Sequence, residues 1–169
     1  MQFTWIDYTK EYEETVESWM DDEAKRNTGC DDGWAEYLDY WMNEPGTRFG
    51  ENFWCKMVYD GPVPVSVIAI AEEKGEMIVS EVVVCTEKRR QGIGTAVLTE
   101  LLYEHREILG KSIESAMAVI YPGNIASQKA FEKAGFHWES AHPDGDAWYY
   151  RWKPASINHD AHSSQQHAD

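Results

Sequence analysis

The sequence predicts a mixed α/β fold, with helices and strands sharing one mixed sheet, and three features carry that prediction. An apolar run at residues 78–84 leads through a basic, glycine-containing turn into a stretch where Ile93, Val97 and Leu101 recur four apart. That pattern reads as strand, turn and amphipathic helix. Two β-rich runs, residues 53–59 and 65–71, flank Asp60-Gly61, a strong signal for a tight hairpin. Downstream come an apolar run, a helical segment closed by Gly135, and two short aromatic runs around Pro143-Asp144-Gly145.

Taken in order, residues 3–8 read as a first strand. Residues 12–26 and 32–42 read as helices, with Thr9 and Asp31 near their starts as caps. The hairpin follows, then a strand at 76–85, the glycine turn and a helix at 91–109. A strand at 115–121, a helix at 125–134 and strands at 137–141 and 148–152 complete the chain. The expected order is β-α-α-β-β-β-α-β-α-β-β, in one domain spanning residues 1–153. Residues 154–169 are polar and rich in His, Ser and Gln, and are expected to form a mobile tail outside the fold.

Composition narrows the function. A chain of 169 residues can bury a real core as one domain. No apolar run reaches the ~18 residues a membrane span requires, and no charged-then-apolar leader suggests secretion. Cys30, Cys55 and Cys85 are odd in number and scattered, which argues for a reducing cytoplasm and against a disulfide framework or zinc site. The histidines are irregularly spaced, so no metal site is expected. A net charge of -15 excludes a general nucleic-acid binder, which would offer phosphate a basic face.

The chemistry concentrates at Val84-Cys-Thr-Glu-Lys-Arg-Arg-Gln-Gly-Ile-Gly94. A strand, a basic turn with two glycines and a helix start make an anion cradle, because unpaired N–H groups and the positive dipole end point outward. A pyrophosphate fits it, and so does a plain α/β turn with no ligand. Known nucleotide loops do not fit. A dinucleotide fingerprint needs a third glycine where Val97 stands, and a Walker loop needs Gly-Lys-Ser/Thr where Gly94 precedes Thr95.

The turn resembles motif A of the GNAT acetyltransferase superfamily, Arg/Gln-x-x-Gly-x-Gly/Ala after a strand ending Val-x-Pro. Arg89, Gly92 and Gly94 fill its signature positions, Val84 fills the strand end, and Thr86 replaces the usual proline. A second stretch, Asn124-Ile-Ala-Ser-Gln-Lys-Ala-Phe-Glu-Lys-Ala-Gly-Phe136, is similar to motif B. The resemblance covers roughly residues 50–152, and its element order equals the one read above.

This resemblance implies a GNAT-like domain that transfers an acetyl group from acetyl-CoA to a primary amine by direct attack in a ternary complex. It implies that the backbone of Val82 and Val84 holds the pantetheine arm and thioester. Amides of Gln91, Gly92, Gly94 and Thr95 would hold the pyrophosphate, with Arg89 and Arg90 adding charge. Ile93, Asn124, Ser127 and Phe131 complete the implied cofactor wall. Asn124 is at the same time an excellent helix cap, and the two roles are compatible.

Glu81 is the outstanding carboxylate. Strict alternation puts Met77, Val79, Glu81, Val83 and Cys85 on one face. A lone acid among apolar neighbours is costly to bury, and desolvation would raise its pKa toward that of a base for an ammonium. The alternative is a salt-bridged or rim-exposed strand glutamate. Phe131 stands where many family members place a tyrosine as general acid, and Tyr121 is the substitute in reach by sequence.

The acceptor side is expected to be acidic and aromatic. Glu11, Glu13, Glu14, Glu17, Asp21, Asp22, Glu23, Asp31, Asp32, Glu36 and Asp39 interleave with Trp19, Trp34, Tyr37, Tyr40, Trp41 and Trp54, joined by Trp138 and Trp148. Such a surface suits a small cationic amine; equally, it reads as a solvated acidic face over core aromatics. A protein or peptide acetyltransferase and a non-catalytic acyl-CoA sensor are the alternatives. Residues 148–152 form an aromatic stretch that could pair two copies into a homodimer and equally reads as core.

Overall fold

The computed structural model describes residues 2–43 and 52–154. Seven strands form one sheet: β1 (Thr4–Asp7), β2 (Phe53–Asp60), β3 (Val63–Glu73), β4 (Glu76–Val84), β5 (Ser115–Ile120), β6 (His137–Ala141) and β7 (Trp148–Trp152). Their spatial order is β1-β2-β3-β4-β5-β7-β6. Only β4 and β5 run parallel; every other pair is antiparallel. Helices α1 (Glu13–Glu17), α2 (Asp22–Thr28) and α3 (Trp34–Asn43) cover one face. Helices α4 (Ile93–Leu109) and α5 (Ile125–Ala134) cover the other. The expected mixed α/β class and the order of strands along the chain hold, with one helix more than expected. The tail expected at 154–169 lies, from residue 155 on, outside the described residues.

The back layer is held by the apolar stripe of α4. Val97, Leu98, Leu101 and Leu102 are almost fully buried against Ile68, Ile70, Met77 and Val79. Each such side chain contributes about 1.5–3 kcal/mol over an exposed one. The front layer is a separate core in which Trp34, Val16 and Met57 are completely buried.

In front, the single helix expected at 12–26 is two. Ser18 turns its hydroxyl back to the Thr15 carbonyl (2.6 Å), and Trp19 and Met20 leave the helical path to bury. Asp21 then restarts the helix, its Oδ1 accepting the Ala24 amide at 2.9 Å. Thr9 makes no side-chain cap. Nor is α3 opened by Asp31. Glu17 Oε1 accepts the Trp34 and Ala35 amides (2.6 and 3.1 Å), so α3 is capped from α1. Gly33 is required there, since its φ is +107° and a Cβ would stand 3.0 Å from that Glu17 oxygen.

Two bulges in the hairpin strands shape everything downstream. In the first hairpin Asp60 pairs with Val63, making Gly61-Pro62 the turn, and Val65 is left extra between Val58↔Ser66 and Tyr59↔Pro64. Between β3 and β4, Ala69 pairs with Glu81 and Ile70 with Val79, leaving Ser80 extra. A bulge inserts one residue and bends its strand. Side-chain alternation therefore inverts at Ser80: Met77 and Val79 belong to the α4 side, whereas Val83 and Cys85 belong to the front. The expected single face of five residues does not exist.

Candidate active site

The β4–β5 pairing stops early. Glu76↔Ser115, Met77↔Ala116 and Ile78↔Met117 are in register, while β5 keeps its register with β7 through Ile120↔Trp148. Beyond Ile78 the two strands separate. Into the gap open the start of α4, the start of α5 and one side of α2, enclosing a cleft of about 560 Å³.

Which backbone groups face the gap follows from one hydrogen bond. The Cys85 amide donates to the Val65 carbonyl at 2.9 Å. Antiparallel ladders alternate, so Glu81, Val83 and Cys85 turn their backbone groups to β3, and Val82 and Val84 turn theirs to the empty side. Consistently, the Val84 carbonyl accepts from Arg89 Nε at 3.1 Å across that side. A strand edge without a neighbour is a template for any extended chain carrying amides.

At the far end of the gap, residues 85–92 turn from β4 into α4. Gly92 is the N-cap in a left-handed conformation (φ +84°), and the first helical bond runs from the Ala96 amide to its carbonyl. The amides of Ile93, Gly94 and Thr95 find no acceptor among the described residues, as expected at a helix start. Arg90 is left-handed as well (φ +61°), a conformation a non-glycine residue holds at a cost of about 1–3 kcal/mol. A Cβ on Gly94 would meet the Val84 side chain at 3.6 Å, so strand end and helix start approach closely here. Lys88, Arg90, Lys129 and Lys133 also line the cleft, and none forms an ion pair among the described residues. The two α5 lysines were overlooked in the sequence, although their i,i+4 spacing next to Asn124 marks one helix face.

Arg89 behaves differently. Its Nη1 donates to Asp21 Oδ2 at 2.6 Å and its Nη2 to the Trp19 carbonyl at 2.5 Å, in addition to the Val84 bond. It lines the cleft with its charge balanced by Asp21.

Asn124 takes both of its expected parts. Its Oδ1 caps α5 through the Ser127 amide (3.1 Å), while its amide nitrogen has no acceptor among the described residues and the side chain lines the cleft. Phe131 is buried in the cleft floor, edge-on to Phe136 with ring centres 4.9 Å apart. Ile93 and Ser127 join the lining. Gln91 does not, and its side chain bonds the Glu87 carbonyl instead. Nor does Tyr121, which is half exposed, with its hydroxyl 3.5 Å from where a Gly29 Cβ would stand.

Glu81 sits beside the bulge, where the strands part. It retains an open side to the cleft, yet surrounding atoms desolvate it and push its carboxyl well above the usual carboxylate range. No cation lies within ion-pair distance among the described residues, so the salt-bridged alternative is not realised. Its neighbours share the stress: burial first, then the Glu81 charge, pushes the Tyr37 hydroxyl far up. Tyr37 Oη, Ser80 Oγ and Trp34 Nε1 are buried without hydrogen-bond partners among the described residues. Ser80 could not be read from the sequence as a site residue, because nothing local marks it as the bulge.

The acidic, aromatic front is only partly what the sequence suggested. Asp21 and Glu23 reach the cleft, together with Asn27 and Thr28 of α2, but Glu17 is a helix cap. Trp19 and Trp34 are core residues at 6% and 0% exposure, so they offer no ring face to a ligand. Trp54 and Trp148 pack on the back core.

A free strand edge, an unsatisfied helix start and an acid of raised pKa thus share one cleft. The family model described as Acetyltransferase (GNAT) matches residues 7–136, most of the chain. The chain belongs to the GNAT acetyltransferase family. No curated protein is significantly similar to it in sequence. Solved structures share its GNAT fold at low identity. Aminoglycoside acetyltransferase AAC(6')-Ib, in complex with coenzyme A, is 16% identical with a TM-score of 0.69, covering 90% of this chain and 95% of that one. The ribosomal-protein-S18-alanine N-acetyltransferase from Escherichia coli is 14% identical with a TM-score of 0.63, covering 96% and 100%. The GNAT domain of S. lividans PAT is 16% identical with a TM-score of 0.65, covering 89% of each. As a GNAT acetyltransferase, this chain carries the glycine turn of motif A and has no hydroxyl at Phe131.

Proposed function

We propose that this protein is an acetyl-CoA-dependent N-acetyltransferase acting on the primary amine of a small cationic acceptor. The observation that carries the reading is the union, in one cleft, of the unpaired β4 edge at Val82 and Val84 with the open amides at the start of α4 and with Glu81. The pantetheine arm would take the place of the missing strand. The diphosphate would rest on the amides of residues 92–95, with Lys88, Arg90, Lys129 and Lys133 supplying countercharge. The amide nitrogen of Asn124 would donate to the arm.

Acetyl-CoA supplies the activated acyl group. Glu81, held at raised pKa by burial, takes a proton from the arriving ammonium, directly or through water, and so frees the lone pair. The amine nitrogen then attacks the thioester carbonyl, backbone donors on β4 steady the developing oxyanion, the nitrogen gives up its second proton to solvent, and the carbon–sulfur bond breaks to release CoA. Phe131 cannot protonate the sulfur, so the thiolate leaves with its charge and collects a proton from solvent.

Cationic acceptors are favoured by the field of a chain with net charge -15 and by Glu23 and Glu81 at the cleft. Aminoglycoside acetylation by a protein of the same fold accords with this. The test is CoA release with spermidine, kanamycin, neutral amino acids, and peptides with N-terminal alanine or internal lysine. Release with the first two would support the reading. A preference for peptides would shift it to a protein acetyltransferase, and CoA binding without release under any acceptor would make the domain a sensor.

A further inference from the structure

The side chain of Arg89 is not arranged to meet a phosphate. Three of its donors bond protein oxygens: Nε to the last carbonyl of β4, Nη2 to the Trp19 carbonyl and Nη1 to Asp21. Both protein partners in front lie in the break between α1 and α2. Asp21 is a shared post. One oxygen caps α2 through the Ala24 amide at 2.9 Å and the other accepts Arg89 at 2.6 Å. The Ala24 amide, and after it the Arg89 guanidinium, hold this carboxyl below the usual range against some desolvation. Helix α2 is only seven residues long and buries Ala24 alone, so packing by itself fixes it weakly. Its Asn27 and Thr28 nonetheless form a wall of the cleft. On the other side of Arg89, the chain passes at once through left-handed Arg90 to the Gly92 cap and the open amides.

We propose that Arg89 is a positioning residue that clasps α2 to the cofactor loop through Asp21 and the Trp19 carbonyl, so that seating acetyl-CoA sets the acceptor wall. The proposal deepens the reading above and rests on its placement of the diphosphate at residues 92–95. Anchoring those amides fixes the path of residues 89–92, and with it the direction of the Arg89 guanidinium. The guanidinium in turn holds the cap of α2, and the cap holds Asn27 and Thr28. Phosphate charge is left to Lys88, Arg90, Lys129 and Lys133, which are unpaired among the described residues. The acceptor half of the cleft would thereby be completed after the cofactor binds.

Hydrogen–deuterium exchange on the full chain, with and without saturating CoA, tests the clasp. In the wild type, CoA should slow exchange at residues 88–96 and also at 19–28, the latter by about fivefold, the low end of coupling between sites. Asp21→Asn keeps a capping oxygen but loses the ion pair. In this variant the slowing at 88–96 should persist while that at 19–28 disappears, and Arg89→Lys, which loses the fork, should do the same. Trypsin cleavage after Lys25 and Arg26 gives a second readout should α2 exchange too fast: CoA should protect it in the wild type and not in Asp21→Asn. CoA protection confined to 88–96 in the wild type would overturn the clasp and leave the cofactor site standing. Equal protection of α2 in wild type and Asp21→Asn would overturn it too. No protection anywhere would remove the cofactor reading itself, and the clasp with it.

Discussion

The two halves of the cleft are built on different principles. The half proposed for the cofactor is backbone: a strand edge left open where β4 leaves β5, and a helix start whose amides lack acceptors among the described residues. The half proposed for the acceptor is side chain: Glu81 raised by burial, and α2 with Asn27 and Thr28. Backbone recognition tolerates sequence change, because every residue brings the same N–H. The glycines only have to permit the path. Side-chain recognition depends on where each residue is aimed, and here one inserted residue, Ser80, aims Glu81. A family that keeps one co-substrate and varies the other would be expected to divide its cleft in this way.

The largest effect that could break this division is at Glu81. Glu81→Gln should lower kcat about 10²–10⁴-fold at neutral pH while leaving the acetyl-CoA KM within about threefold. Wild-type kcat should rise with pH through a value above the ordinary carboxylate range, and the variant should lack that limb. Stability should answer with the opposite sign. Folding raises the Glu81 pKa, so its contribution is present below the unfolded value and is lost as pH rises through the folded one. Glu81→Gln should therefore melt higher than wild type at pH 7, with the gain vanishing near pH 4. A variant with full turnover at high pH would return the base role to solvent.

Next in size is Gly94→Asp, aimed at the cofactor half alone. An acid in the first turn suits the helix dipole and should leave the melting point level or slightly higher. The same carboxylate would occupy the anion's place and weaken acetyl-CoA about 10²-fold. Unchanged affinity would show that the diphosphate lies elsewhere.

Smaller still, Lys129→Ala with Lys133→Ala should weaken CoA about fivefold, and the deficit should shrink as salt is raised, since both lysines are exposed. Isothermal titration at two ionic strengths would measure it. The smallest binding effect should come from Glu17→Ala. Losing the bonds to the Trp34 and Ala35 amides should cost about 1 kcal/mol, seen as a melting point a few degrees lower. CoA affinity should stay within twofold, because no α3 residue among the described residues lines the cleft. A large loss of CoA binding there would mean that the two halves are not separable.

Legibility in the sequence follows the same division. The glycine turn, the strand before it, the Asn124 cap and the order of strands could all be read locally. Each is fixed by contacts between near neighbours: a left-handed glycine, an i to i+3 cap, an apolar stripe four apart. The first helix was misread because its apolar residues continue in period through Trp19 and Met20, which the tertiary core draws out of line. Asp21, followed by two more acids, was the available signal of a second start. Of the aromatics expected in front, Trp19 and Trp34 follow the core alternative for a related reason. Composition shows that Trp19 and Trp34 lie near the acids along the chain, not that both turn inward.

By itself, then, the sequence determined the class of fold, the place of the glycine turn before α4 and the presence of an acid on β4. Only the tertiary structure decided that Glu81 faces the front core, that Arg89 bonds Asp21 and that Glu17 closes α3. The physical reason is range. Glycine torsions and helix caps are settled within a few residues, whereas a bulge, a cross-helix cap and an ion pair 68 residues apart in sequence are settled by which partners the packed sheet brings together.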